Sequence, residues 1–303
     1  MNQLLAVLVD GIVYASWLFV IAVGLTLIYG VMKILNIAHG SLYALGAFAA
    51  VSFTSAWFNA GLPAAGSFGM LALAAIVVGL IAGPVIERGL LQFQYGKDEV
   101  VLVLVTYALF LILEDLIKFI WGVDPLFVQG PMGETPYSML GTISVGELTY
   151  PGYNLLLVAV AVAAGLVLAW ALSSTRSGKL LKAVIHDREM SAALGINVGM
   201  TYFVTFTVGA TLAAIGGALT APTVSVITGM GAEVIVLAFA VVVIGGLGSL
   251  GGAALGAVIV GLVRAAAVHY YPEAELFSIY FVMALVLILR PKGLFSGAEV
   301  RKI

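Results

Sequence analysis

The sequence predicts an all-α integral membrane protein: a polytopic bundle of eight to nine transmembrane helices, with glycine-rich helix breaks and the marks of an internal repeat. Three observations predict it. Hydrophobic residues make up 62% of the 303 residues and charged residues only 9%, against about 25% charged in soluble domains. Mean hydropathy is +1.16, and a soluble chain this apolar could not cover its own surface with polar groups. The apolar stretches run for roughly 15 to 24 residues without alternation, which suits helices and not the ~10-residue alternating strands of a barrel.

The stretches run in order Leu8–Met32, Ser41–Phe58, Phe68–Leu90, Val100–Trp121, Tyr153–Leu172, Tyr202–Val226, Ala232–Tyr270 and Ala274–Leu289. The seventh exceeds one span of about 20 residues. Gly245-Gly246-Leu247-Gly248-Ser249-Leu250-Gly251-Gly252 interrupts it, predicting a short helix, a break and a second helix. Met1 to Val9 carries no Lys or Arg, and Asp10 interrupts the first apolar run, so that segment reads as a retained helix and not a cleavable signal. The whole chain, 1–303, reads as one transmembrane domain with no soluble domain large enough for a catalytic fold.

Charge fixes the expected orientation. Lys and Arg gather at Arg88 and Lys97, at Arg176, Lys179, Lys182 and Arg188, and at Arg290, Lys292, Arg301 and Lys302. The intervening segments Asn59–Ser67, Gly122–Gly152, Ile227–Glu233 and Tyr271–Glu273 have none. Cytoplasmic loops carry the basic excess, so the N-terminus is expected in the periplasm and the C-terminus in the cytoplasm. The outer loop of about 122–152, with Pro125, Pro131, Pro136 and Pro151, predicts ordered turns or a short hairpin.

Several function classes drop out. With no cysteine, disulfides and thiolate chemistry are excluded. No basic cluster with interleaved aromatics supports nucleic-acid binding. His39, His186 and His269 lack ligand spacing for a metal. No Ser/His/Asp constellation at a shared depth suggests an embedded enzyme.

The basic loop, about 173–199, is the most informative stretch. It reads Ser173-Ser174-Thr175-Arg176-Ser177-Gly178-Lys179, then Leu180 to Asn197. Asp187 suits an N-cap, Arg188–Leu194 a short helix, and Gly195 its C-cap position. Met190, Ala193 and Leu194 would share one side, suited to docking in another protein's groove. A plain solvated connection is the competing reading. This loop resembles the cytoplasmic coupling segment of permeases of the branched-chain amino-acid ABC importer family, in its arginine and glycine ahead of a basic stretch and its alanine-rich turn ending in Gly195-Ile196-Asn197. Gly24 through Tyr43 is similar to that family's N-terminal pattern, and so are Gly245–Gly252 and the tail Leu289-Arg290-Pro291-Lys292-Gly293-Leu294-Phe295. The chain looks most like the shorter of the two permeases of the high-affinity leucine/isoleucine/valine type.

The resemblance implies an ATPase-coupling role for Arg176, Gly178, Asp187, Arg188, Glu189, Ala192, Gly195 and Asn197. It implies a second related permease, two cytoplasmic ATPase subunits and a periplasmic substrate-binding protein, set in the lipid of a bacterial inner membrane. ATP and Mg would sit on the ATPase subunits. The chain has no Gly-x-x-x-x-Gly-Lys-Ser/Thr motif, so no cofactor and no enzymatic step is expected on it. Urea and short amides are the alternative solutes within the family. A secondary transporter or channel working alone is the alternative outside it, and the poverty of intramembrane charge argues against ion coupling.

Two breaks, Lys33–Gly40 and Gly245–Gly252, are each followed by the same four residues, Ala44-Leu45-Gly46-Ala47 and Ala254-Leu255-Gly256-Ala257. Paired interruptions point to a repeat and a binding region. Asn36, His39, Ser41, Gly248 and Ser249 are therefore candidates for the translocation path. The four-residue spacing of Gly248, Gly252 and Gly256, and of Ala253, Ala257 and Gly261, equally suits close helix packing. Glu114, Asp115 and Lys118 are expected to pair near the outer interface, Arg264 to meet an acid or a partner, and Asp10 and His269 to lie near the outer surface.

Overall fold

In hydrocarbon a peptide group finds no water, so each apolar run closes its own hydrogen-bond ladder as a helix. The computed structural model describes residues 2–130, 133 and 135–295. Pro131 of the expected outer loop and Arg301 and Lys302 of the third basic cluster lie outside the described residues. Helices α1 (Asn2–Met32), α2 (His39–Asn59), α3 (Ser67–Gly89) and α4 (Glu99–Trp121) come first. A one-turn helix α5 (Pro136–Met139) and a hairpin of β1 (Thr142–Val145) and β2 (Leu148–Pro151) follow. Then come α6 (Tyr153–Ser174), α7 (Arg176–His186), α8 (Arg188–Ala193), α9 (Val198–Thr220), α10 (Met230–Gly245), α11 (Leu250–Tyr270) and α12 (Glu275–Leu289). Among the described residues, eight helices are long and apolar enough to cross a bilayer, and α10 is a shorter apolar one.

Two faces define the bundle. One carries α7 and α8, the ends of α1, α3 and α10 and the start of α4 (the basic face); the other carries the hairpin, where Gly146 approaches Leu5. The described chain starts at the hairpin face and ends at the basic face, as an odd number of passes requires.

The core is the antiparallel crossing of α1 and α9. A Cβ on Gly24 would stand 2.8 Å from the Gly209 carbonyl oxygen, and one on Gly209 would stand 3.0 Å from that of Gly24. These two backbones touch because neither residue has a side chain, the small-residue contact by which membrane helices associate. Around this cross the chain repeats itself upside down. After α1 it doubles back, and α2 starts in mid-bundle: His39 Nε2 lies 3.0 Å from the Ile21 carbonyl, about 16 Å along α1 from its end at Met32. After α9 it doubles back again, and α10 starts in mid-bundle, with Gly231 against Gly40. Then α3 lies along α9, with Gly79 on Thr211 and Gly83 on Thr207, while α11 lies along α1, with Gly261 on Gly11. The repeat pairs α2 with α10, so the matching tetrapeptides at Ala44 and Ala254 are not equivalent positions. Gly46 rests on Ala214 of α9, and Gly256 rests on Val241 of α10.

Expectation and structure part at 227–233. That segment lacks basic residues, which predicted an external loop. Instead α9 ends at Thr220 and the chain turns inward to Gly229. Its backbone groups find partners there: Leu126 and Val226 exchange both hydrogen bonds, at 2.9 and 2.8 Å. The first return segment uses Thr106, whose Oγ1 donates to the Leu35 carbonyl and accepts from the Ile37 N–H. The third break, 246–249, is covered by the tail: Leu294 and Phe295 N–H groups donate to the Ile244 and Gly245 carbonyls. Other hydroxyls inside spans are satisfied on their own helix, as Thr205, Thr207 and Thr211 are on carbonyls four residues earlier.

Glycine contacts give a direct test. A Cβ on Gly46 would fall 2.3 Å from the Ala214 carbonyl oxygen, whereas one on Gly69 meets open space. Gly46→Leu is expected to cost about 1–3 kcal/mol or more through overpacking, seen as a lower thermal midpoint in detergent, while Gly69→Leu lowers nothing. Equal losses in both variants would refute the close crossing.

Candidate translocation and coupling sites

The polar residues of the bundle interior gather where α2 and α10 begin. Gly40 and Gly231 bring the two helix starts into backbone contact, each positioned so that a Cβ would strike the other's carbonyl oxygen. Ser41 Oγ donates to the Phe110 carbonyl of α4 at 3.3 Å. Tyr43 OH and Thr220 Oγ1 lie 2.7 Å apart, joining α2 to the end of α9. Glu114 of α4 closes the group: its Oε2 accepts from the Gly229 N–H at 2.9 Å, just before α10 starts. A carboxylate there suits the positive end of a helix.

The sequence missed this role. Glu114 was expected to pair with Lys118 near the outer interface; it is 5% exposed and turned inward, and Asp115 alone pairs with Lys118, at 3.0 Å. The reason is that the return after α9 delivers the Gly229 N–H to the Glu114 side chain just ahead of α10, which the pattern of 221–229 does not announce.

Of the path candidates, Asn36, His39 and Ser41 are fully buried together at this seam. Gly248 and Ser249 are not with them. Gly248 packs on Gly30 near the basic face, and Ser249 Oγ caps α11 by accepting from the Gly252 N–H at 3.1 Å. Several buried atoms at the seam have no hydrogen-bond partner: both amide atoms of Asn36, His39 Nδ1 and Glu114 Oε1. Buried polar groups are normally satisfied, so four such atoms at the meeting of the two repeats mark it as a place built for more than packing.

The basic face carries the second site. The sequence predicted one helix in the loop; the structure has two. Thr175 caps α7 by accepting from the Gly178 N–H at 3.0 Å, and Asp187 caps α8 by accepting from the Met190 N–H at 2.8 Å. The polar and basic residues of 173–182 masked the first helix in a reading tuned to apolar runs. Gly178 lies against the Ala171 carbonyl and Gly195 takes φ +83° to leave α8. Asn197 then caps α9 through the Met200 N–H at 2.9 Å. Arg176, Glu189 and Ala192 are exposed, and Met190 and Leu194 stand 57% and 74% exposed beside them. On the hairpin face, Asp10 pairs with His269 at 2.7 Å, and Arg264 pairs with Glu275 while lying over the Tyr14 ring.

A multi-pass helical bundle with an inverted repeat, helices that start at mid-depth and an exposed two-helix loop on its basic face has the architecture of a membrane transport protein. The chain belongs to the family described as the branched-chain amino acid transport system / permease component, which it matches over residues 7–289. It is 28% identical to the high-affinity branched-chain amino acid transport system permease protein BraD of Pseudomonas aeruginosa, over 98% of this chain and 97% of that one. It is 26% identical to the corresponding protein LivH of Escherichia coli K12, over 97% and 96%. Among solved structures, PsaBC from Streptococcus pneumoniae in complex with Fab aligns with a TM-score of 0.48 and 13% identity, over 92% and 89%.

The clasp of Glu114 on Gly229 can be measured. Glu114→Ala removes the acceptor of that part-buried N–H, an expected cost of about 0.5–1.5 kcal/mol; Glu114→Gln keeps an acceptor and costs less. Amide exchange across 227–233 is expected to speed up in the alanine variant. Unchanged exchange there would show that Glu114 does not hold the return segment.

Proposed function

We propose that this chain is the membrane-spanning subunit of an ATP-driven importer of branched-chain amino acids. The observation that carries the reading is the loop of α7 and α8: two separately capped helices set on a basic face, presenting Met190 and Leu194 to the outside on a rigid base. Apolar side chains held at such exposure fit a groove in another protein better than they fit water. The relatives named above are permease proteins of branched-chain amino acid transport systems, which supports the solute class.

In this reading two ATPase subunits, holding ATP and Mg, dock on the loops of this chain and of a second related permease. A binding protein delivers solute at the hairpin face. The positive-inside bias supports a cytoplasmic basic face and a periplasmic N-terminus, in the cytoplasmic membrane. Helices α2 and α10 shift against each other at the Gly40–Gly231 contact during alternating access, close to the repeat interface at which inverted-repeat transporters bind their solutes. Asn36 and His39 are then the polar groups exposed to the passing solute, with Ser41 beside them and Gly248 and Ser249 nearer the cytoplasmic exit.

Reconstitution in liposomes tests the reading. Uptake of leucine by the full complex is expected to need ATP and the ATPase subunits, and full-rate uptake by this chain alone would end the proposal. Carrying urea in place of leucine would end the solute assignment only. Placing Asp at both Met190 and Leu194 buries charge in the docking groove and is expected to cut ATP-driven uptake by about 10-fold or more, with the permease still inserted. Asn36→Ala and His39→Ala are expected to slow uptake without loss of assembly; normal uptake in both removes the seam from the path.

A further inference from the structure

One buried acid lies away from the seam. Glu87, in the last turn of α3, is 1% exposed. Tyr95 OH donates to its Oε1. Arg88 Nε lies 3.4 Å from its Oε2, an ion contact without hydrogen-bond geometry. The Tyr95 ring meets the Tyr202 ring edge-on, with centroids 4.9 Å apart and planes at 81°. Tyr202, 5% exposed, stands in the first turns of α9. The Arg188 guanidinium lies over the Tyr202 ring, 5.6 Å from its centroid. Arg188 is the first residue of α8, in the docking loop. An unbroken line of side-chain contacts thus runs from the loop, across the start of α9, to the end of α3.

The links are of a kind that transmits displacement. One joins two aromatic rings, which have few internal rotations, in an edge-on pair of preferred geometry; another sets the Arg188 guanidinium over the Tyr202 ring. The third is a hydrogen bond to a carboxylate removed from water, which is costly to leave unmade. Tyr95 remains a donor at any physiological pH, because burial first, and the hydrogen bond to Glu87 second, push its hydroxyl well above the usual tyrosine range. At the far end, α3 lies along α9 with Gly83 on Thr207 and Gly79 on Thr211, so displacement of the pair travels toward mid-bundle. Nothing in this line is needed to form α8, which Asp187 already caps.

We propose that Arg188, Tyr202, Tyr95 and Glu87 are positioning residues that pass movement of the docking loop to α3 and α9, coupling the ATPase stroke to the membrane helices. This rests on the importer reading above; it adds the residues that carry the stroke. None of the four is assigned contact with solute.

The experiment uses the complete importer in liposomes, this chain with its second permease, ATPases and binding protein, and reads ATP hydrolysed per solute delivered. Arg188→Gln, Tyr202→Leu and Tyr95→Phe are each expected to raise that ratio by about 2- to 30-fold, the range of couplings along contact networks, with normal assembly by gel filtration. Tyr202→Phe keeps the ring and is expected to retain the native ratio, and Glu87→Gln, which still accepts from Tyr95, stays close to it. Because the links are in series, Arg188→Gln combined with Tyr95→Phe is expected to be no worse than the worse single variant. Three results overturn the proposal: unchanged ratios in the singles, hydrolysis and uptake falling in step, or additive losses in the double variant. A native complex that takes up solute without ATP sinks the importer reading itself, and this coupling with it.

Discussion

Everything in this bundle depends on one requirement: each peptide N–H and C=O inside lipid must find a protein partner. An unbroken helix meets it alone. A chain that breaks its helices in mid-membrane meets it by supplying partners from elsewhere in the protein or by opening the break to water. The three breaks here are met in three ways. A threonine hydroxyl serves the first, a two-way backbone exchange with Leu126 plus the Glu114 carboxylate serves the second, and the Leu294–Phe295 tail serves the third. Asn36, His39, Ser41 and Glu114 gather where the backbone leaves the helical ladder.

Glycine makes those arrangements possible at a few positions. Gly24 with Gly209, and Gly40 with Gly231, let two backbones meet where any side chain would separate them. The cross of α1 and α9 and the seam of α2 and α10 are thus two solutions of the same problem on one inverted-repeat axis.

Much of this was legible in the sequence. The spans, the breaks at Lys33 and Gly245, the hairpin in 122–152 and the Asp187 and Gly195 caps follow from hydropathy, glycine runs and capping chemistry, and the structure has each of them. What stayed hidden has a common cause. Asn59–Ser67 and Ile227–Glu233 look alike in lacking Lys and Arg, yet one is a surface turn and the other returns to meet Glu114 and Gly40, because tertiary partners and not composition decide where a return segment leads. Glu114 looked like one of three charges on a helix surface; only the fold reveals that its neighbour Asp115 takes Lys118. Helix α7 hid because amphipathic surface helices lack the long apolar run by which spans are recognised. The line from Arg188 to Glu87 joins residues about 100 positions apart in sequence, beyond the reach of any local pattern.

The shortness of α10 bears on how the protein is made. Its 16 residues reach about 24 Å, less than the ~30 Å hydrocarbon core, and it opens beneath a segment that borrows its hydrogen bonds from Leu126. Lipid alone offers such a piece no stable resting place. During synthesis it emerges before α11, the helix it lies against, so it has to wait in the shelter of the insertion machinery or against α1 and α2 until the second repeat is complete. Stable seating of α10 is accordingly expected only once α11 has been made and packs along it.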